Sequence, residues 1–198
     1  MLEGIVLAAG SSSRAGCFKM ELPLGNKLLI ERSIEGMYEV CSRIIVVGGY
    51  RIERIRQLLS SYSKVELVGN KNWQDGMFSS VKAGVRHITT DRFFLLPADI
   101  PLVPQKVYDE LARHQAGIVI PSFNGRKGHP ILLSRTIIND ILAEPDNSTL
   151  RQVIQRKSCE LVPVQSEHIL LDIDSMSDYD AVTKRFSGDV VSSATNEA

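Results

Sequence analysis

Apolar residues fall along this chain in two rhythms. Unbroken runs occur at Gly4–Leu7, Arg43–Val47 (RIIVV), Val65–Val68, Phe93–Leu96 and Ile118–Ile120. Runs without alternation predict strands of a sheet covered on both faces. Between them lie helical patterns at about Leu28–Tyr38, Ile52–Leu59, Met77–Ile88 and Gln105–Arg113. In the third, Phe78, Val81, Val85 and Ile88 share one helical face. The order βαβαβαβα predicts an α/β fold: a three-layer, doubly wound, mostly parallel sheet, Rossmann-like in outline.

The alternation stops after Pro121. Asn124-Gly125 signals a turn, and Arg126–Leu133 reads as a strand returning from it. Further helices are expected near Thr136–Leu142 and Thr149–Gln155, the latter capped by Ser148. Leu161–Val164 and Ile169–Asp172 read as short strands, and Ser175 with Asp178 as a capping box for a last helix ending near Phe186. The small, polar stretch Ser187–Ala198 is predicted to be a disordered tail, leaving 1–186 as a single domain.

Composition narrows the function classes. The 198 residues suffice for one full core. Lys plus Arg and Asp plus Glu each number 23, so the bulk basic field of a nucleic-acid binder is missing. No apolar run approaches a membrane span, and the first strand begins too early for a signal peptide. Three widely spaced cysteines, Cys17, Cys41 and Cys159, argue against a disulfide framework or zinc site and for a reducing cytoplasm.

The densest chemistry lies in Leu7–Pro23, LAAGSSSRAGCFKMELP. A buried strand opens into small residues, three serines, Arg14 and Lys19. Crowded backbone N–H groups and two fixed positive charges suit a polyanion. The loop lacks the Gly-Lys-Ser/Thr of a Walker A motif and the GxGxxG of a dinucleotide fingerprint. In LLPADIPLV, Asp99 falls at the carboxyl edge of the sheet, where open α/β folds bind ligands. One aspartate there suits Mg2+, which takes few carboxylates and completes its shell from phosphate and water. An aspartate beside proline also caps turns. In LLDID, Asp172 and Asp174 lie two apart and share a side if the segment is extended.

The pattern LAAGxSxRxGxxK resembles the signature of nucleotidyltransferases of glycosyltransferase-A-like fold, which move a nucleoside monophosphate from an NTP onto a phosphorylated acceptor. Within them the chain is most similar to the molybdenum cofactor nucleotidyltransferases (MobA-like NTP transferases), in the cytidylyltransferase and molybdenum-hydroxylase accessory branch. The similarity runs from the first strand to about Phe186.

The resemblance implies roles. Leu7, Ala8, Ala9, Gly10, Arg14, Gly16 and Lys19 belong to the NTP loop, with Arg14, Lys19 and Asp99 as catalytic groups; Ala15 stands where the family often has a larger residue. Asp99 and Asp174 match the family's Mg2+ ligands, with Asp172 either supporting them or solvated. The Pro and Glu of the family's Asp-Ile-Asp-Thr-Pro-Glu-Asp pattern are absent at Met176-Ser177. Gly76-Met77 and Ser80 resemble the base and ribose segment, whereas Ser79 suits a helix start and Trp73 a packing role. Gly128, His129 and Pro130 match the Gly-His-Pro beside the acceptor; His87, His114 and His168 have no such match and read as structural.

The reaction implied is Mg2+-dependent transfer of CMP from CTP to a molybdopterin-type phosphate, serving a molybdenum hydroxylase client in the cytoplasm. The guanylyltransferase branch has Leu-Ala-Gly-Gly where this chain has Leu7-Ala8-Ala9-Gly10. The extra methyl favours a pyrimidine by roughly 1–3 kcal/mol. The alternatives are a same-fold transferase using GTP or another phosphorylated acceptor, and a non-catalytic cofactor-binding accessory protein.

Overall fold

The first apolar run becomes the middle of the sheet. In the computed structural model, which describes residues 1–11 and 16–184, strand β1 (Glu3–Ala8) is buried along its whole length. It pairs in parallel with β4 (Arg43–Gly48) and with β6 (Arg92–Pro97). Beyond β4 lies β5 (Val65–Gly69), also parallel. Beyond β6 come β9 (Ile131–Ser134), antiparallel to both its neighbours, then β7 (Ile118–Phe123) and the parallel edge strand β10 (Glu160–Pro163). The order is β10-β7-β9-β6-β1-β4-β5, with the two-residue β8 (Arg126–Lys127) on β7. A separate hairpin joins β2 (Pro23–Leu24) to β3 (Lys27–Leu28).

Successive side chains along each central strand serve opposite cores, as the two-residue period of a strand requires. Val6, Ile44, Val46 and Phe94 meet the helices α1 (Leu29–Tyr38), α2 (Ile52–Leu58) and α4 (Gln105–Arg113). Ile5, Ile45, Val47 and Phe93 meet α3 (Met77–Val85), α5 (Ile138–Ala143) and α6 (Leu150–Gln155). The predicted three-layer, mostly parallel α/β architecture is therefore present. Helix α3 sits tight on the sheet because Gly84 has no side chain: a Cβ there would stand 2.9 Å from Ile5 Cγ2 and 3.0 Å from Val47 Cγ2. That contact sets how closely the carboxyl end of α3 approaches β1 and β4.

The differences from expectation lie after Pro121. Arg126–Leu133 is two strands, β8 and β9, interrupted at Gly128–Pro130. Pro130 has no N–H to give a ladder, and the Gly128 N–H turns back to Pro121 O at 2.9 Å. Ile169–Asp172 is not a strand. Glu167–Leu170 forms a 3-10 turn and 171–174 is irregular. Its backbone is satisfied by loops instead of a strand: His129 N donates to Ile169 O at 3.0 Å, and Ile173 N donates to Asp99 O at 2.8 Å. Helix α6 is capped by Thr149, not Ser148. Thr149 Oγ1 accepts from Gln152 N at 3.2 Å, and Gln152 Oε1 accepts in return from Thr149 N at 2.9 Å. Helix α3 stops three residues short of Ile88, and the helix near Thr136 begins as a 3-10 turn. The Ser175–Asp178 box opens a last helix at 176–184; its expected end near Phe186 and the 187–198 tail lie outside the described residues.

Candidate active site

The carboxyl ends of the central strands deliver three groups to one edge of the sheet. From β1 come Leu7, Ala8, Ala9 and Gly10; from β6 come Pro97 and Asp99; from the segment between β5 and α3 comes Trp73. Together they line a cavity of about 350 Å3. The expected nucleotide residues Leu7, Ala8, Ala9, Gly10, Lys19, Ser80 and Asp99 all stand on its wall, and so does Asp174. Gly16 is exposed and does not line it. Arg14 and Ala15 lie outside the described residues.

Lys19 organises the charge. It is buried in a short 3-10 turn, Lys19–Glu21. Its Nζ donates to Ile173 O at 2.5 Å and stands 3.7 Å from Asp99 Oδ2 and 3.8 Å from Asp174 Oδ1. Residues 80 and 155 positions apart in sequence thus face one ammonium group. The backbone bond from Ile173 N to Asp99 O locks the two acidic segments together. Burial raises the Asp99 carboxyl; Lys19 pulls it down; Asp174 and Asp172 push it up again. The net result is a carboxyl raised from its ordinary value. Asp172 itself is exposed, so the solvated alternative fits it.

This donor set suits a small hard cation. Asp99 and Asp174 bring carboxylate oxygens to the wall of one partly enclosed space, the ligand type that Mg2+ takes in small number. Among the described residues no group of three or more His, Cys, Asp or Glu side chains gathers as a metal site. An ion on Asp99 and Asp174 would therefore draw its remaining ligands from phosphate oxygens and water.

Ser80 is buried, and its Oγ accepts from Asn70 Nδ2 at 3.0 Å. Asn70 also donates to Ser79 Oγ at 2.8 Å and accepts from Asn72 N at 2.9 Å. Ser79 Oγ in turn bonds Gly76 O at 2.7 Å, the helix-start role open to it from sequence. The sequence reading passed over Asn70; its signal was a polar side chain directly after a buried strand at the ligand edge. Trp73 and Gln74 also line the cavity, and the Trp73 ring packs 5.7 Å from Tyr50. The tryptophan therefore packs on one side and faces the cavity on the other.

A second cavity of about 800 Å3 adjoins the first, with Leu7, Gly76, Met77 and Pro97 on both walls. Met77 is 60% exposed and forms the ridge between them. Gly128 and His129 line this second space. Pro130, expected beside them, is buried and is not on its wall. Gly128 allows a close crossing, since a Cβ would stand 2.4 Å from Ile169 O. Burial pushes His129 down to about 4, so its imidazole is neutral at physiological pH. The other histidines lie elsewhere; His114 Nδ1, for instance, contacts Glu160 Oε1 at 2.7 Å. Cys17 is exposed beside the loop, while burial raises the Cys41 thiol to about 12.

A cavity at the carboxyl end of β1, a lysine–carboxylate cluster on its wall and a second cavity across shared residues suit one enzyme class, the nucleotidyltransferases. Residues 4–162 match the MobA-like NTP transferase domain, and the chain belongs to that family. It is 30% identical over 187 residues to the molybdenum cofactor cytidylyltransferase of Escherichia coli K12, covering 94% of this chain and 97% of that one. It is 29% identical over 133 residues to a probable molybdenum cofactor guanylyltransferase of Bacillus mycoides, covering 65% of each. Among solved structures, a nucleotidyl transferase from Methanothermobacter superposes with a TM-score of 0.81 at 23% identity, covering 94% of this chain and 97% of that one.

Proposed function

We propose that this enzyme transfers CMP from CTP to the terminal phosphate of a molybdopterin-type cofactor and releases pyrophosphate. The observation that carries the reading is the Lys19–Asp99–Asp174 cluster lining the smaller cavity, which shares a wall with the larger one. The E. coli relative, similar over nearly the full length of both chains, is a cytidylyltransferase of this cofactor. Ala9 supports CTP: it is buried, and its methyl narrows the cavity it lines.

An oxygen of the acceptor phosphate attacks the α-phosphorus of CTP. The new P–O bond forms as the bond to the β-phosphate oxygen breaks, and the electron pair leaves with pyrophosphate. The attacking phosphate is already ionised, so no strong base is required. Lys19, with Arg14 from the β1 loop, offsets charge on the departing pyrophosphate. Asp99 and Asp174 would hold Mg2+, which supplies Lewis-acid neutralisation of the triphosphate. Neutral His129 hydrogen-bonds the acceptor in the second cavity. The unit 1–186 works as one NTP-transferase domain in the cytoplasm, and its product would serve a molybdenum hydroxylase client.

The test is turnover with CTP, Mg2+ and molybdopterin. Equimolar pyrophosphate and a cytidylylated pterin are expected. CTP binding without pyrophosphate release would leave only the accessory, cofactor-binding role.

A further inference from the structure

Helix α3 carries a buried charge that the reaction does not use. Its inward face is otherwise apolar, with Phe78, Val81 and Val85 in the core, yet Lys82 is only 7% exposed. A buried ammonium is costly unless its donors are satisfied. Lys82 Nζ donates to Glu144 O at 2.6 Å and to Asp146 Oδ1 at 2.7 Å, and lies 5.5 Å from the centre of the Phe78 ring. Glu144 is the residue that ends α5, so the first bond satisfies a carbonyl at a helix terminus. The second reaches a side chain that is 83% exposed. Lys82 therefore fastens the segment between α5 and α6 onto α3.

That segment has a particular position. Asp146, Asn147, Ser148 and Thr149 line the 800 Å3 cavity together with Met77 and Phe78, and none of them lines the 350 Å3 cavity. The nucleotide side of α3 is set independently, by Asn70 on Ser80 and by Gly84 against the sheet. One helix thus faces both cavities, and a different set of contacts fixes each.

We propose that Lys82 is a positioning residue for the acceptor: it holds the 144–149 segment as a wall of the second cavity, so that acceptor binding depends on it and nucleotide binding does not. This rests on the reading that the second cavity receives the phosphorylated acceptor. Lys82 touches neither substrate. It acts through the wall it anchors, and a more mobile wall weakens binding through the entropy of ordering it.

The test compares wild type with Lys82→Met, Lys82→Arg and Asp146→Ala. Lys82→Met keeps most of the side-chain volume and removes both donors. It is expected to speed amide exchange at 146–149 about tenfold and to raise the molybdopterin KM about tenfold, with the CTP Kd within about twofold. Lys82→Arg retains donors and is expected to recover most of the acceptor KM, whereas a purely volumetric role would show no such rescue. Asp146→Ala alters an exposed side chain and therefore folds even if Lys82→Met does not. It is expected to raise the acceptor KM about threefold through loss of one of the two bonds. Unchanged exchange at 146–149, an unchanged acceptor KM, or equal losses for CTP and acceptor would each overturn the proposal. A wild-type enzyme that binds CTP but does not use molybdopterin would instead overturn the acceptor reading, and the exchange measurement would still judge the anchor.

Discussion

Lys19 does two things with one nitrogen. It bonds the backbone of Ile173, which holds the segment carrying Asp174, and it stands between two carboxylates that repel each other. Removing either kind of partner has different consequences. Asp99→Asn deletes a carboxylate whose ionised form burial disfavours. Its turnover should fall about 10²–10³-fold, with the unfolding midpoint unchanged or raised. Lys19→Met removes the donor to the Ile173 carbonyl and the ammonium beside Asp99 and Asp174. It should lose similar activity and also about 1–3 kcal/mol of stability. Parallel assays and denaturant titrations check both; equal stability losses in the two variants would show that the lysine is not the structural member of the cluster. His129 gives a separate prediction. Its native value is about 4 because of burial, below the ordinary 6.5, so it contributes no ionisation to the rate profile at neutral pH. His129→Gln should raise the acceptor KM while leaving the shape of kcat against pH unchanged from about pH 5.5 to 8. A limb near 6.5 that disappears in the variant would overturn the neutral, hydrogen-bonding role.

At the scale of elements, the amino end of β1 is pinned as firmly as its carboxyl end is open. Glu3 is buried, and its carboxylate accepts from Thr89 N at 2.7 Å, Thr90 N at 3.1 Å, Thr89 Oγ1 at 2.9 Å and Arg43 Nε at 2.8 Å. Burial raises this carboxyl, but those donors outweigh burial and hold it below its ordinary 4.5. A carboxylate depressed in the native state stabilises the fold fully above the unfolded value and loses that contribution as pH falls through the native one. Glu3→Gln should therefore be less stable than wild type by about 1–3 kcal/mol at pH 7, and the gap should close as pH falls below about 4.5. A gap that stays constant to pH 3 would mean that shape, not charge, matters at this site. The same strand shows what sequence conveys well. Gly4–Leu7 was legible because a central parallel strand is apolar on both faces, wherever its neighbours come from. Ile169–Asp172 was misread because a strand also needs a partner strand, and here the backbone bonds go to loop residues instead, from His129 N to Ile169 O and from Ile173 N to Asp99 O. The antiparallel β9 inserted between β6 and β7 could not be ordered from pattern alone, since an apolar run carries no information about direction. The loop signature and Asp99 were legible as chemistry. Lys82 was not, because Glu144 and Asp146 lie more than sixty residues on and only folding brings them near; Asn70 was not, because nothing in the pattern shows that its side chain turns onto Ser79 and Ser80 of α3.

On the scale of the whole molecule, the two cavities share a wall made of Leu7, Gly76, Met77 and Pro97, which on the proposed function would bring nucleotide and acceptor together across the carboxyl edge of one sheet. The chain has a net charge of zero, so recognition of a polyanion depends on this local cluster rather than on a global field. No helix among the described residues is long and apolar enough to cross a membrane. If the cluster and Ala9 together set nucleotide choice, binding should register in global stability before any acceptor is added. CTP with Mg2+ at about 100 times its dissociation constant adds about 2.7 kcal/mol, which for a domain of this size raises the melting temperature by about 5–10 °C. GTP at the same concentration should give a smaller shift, because its larger base meets the Ala9 methyl. Asp99→Asn should lose the Mg2+-dependent part of the CTP shift while keeping its own unliganded midpoint. A GTP shift equal to that of CTP would remove Ala9 as the selector and leave the transferase class intact. A CTP shift that survives in Asp99→Asn, with Mg2+ still adding to it, would move the cation away from the Asp99–Asp174 pair, and with it the account of how this edge of the sheet holds a triphosphate.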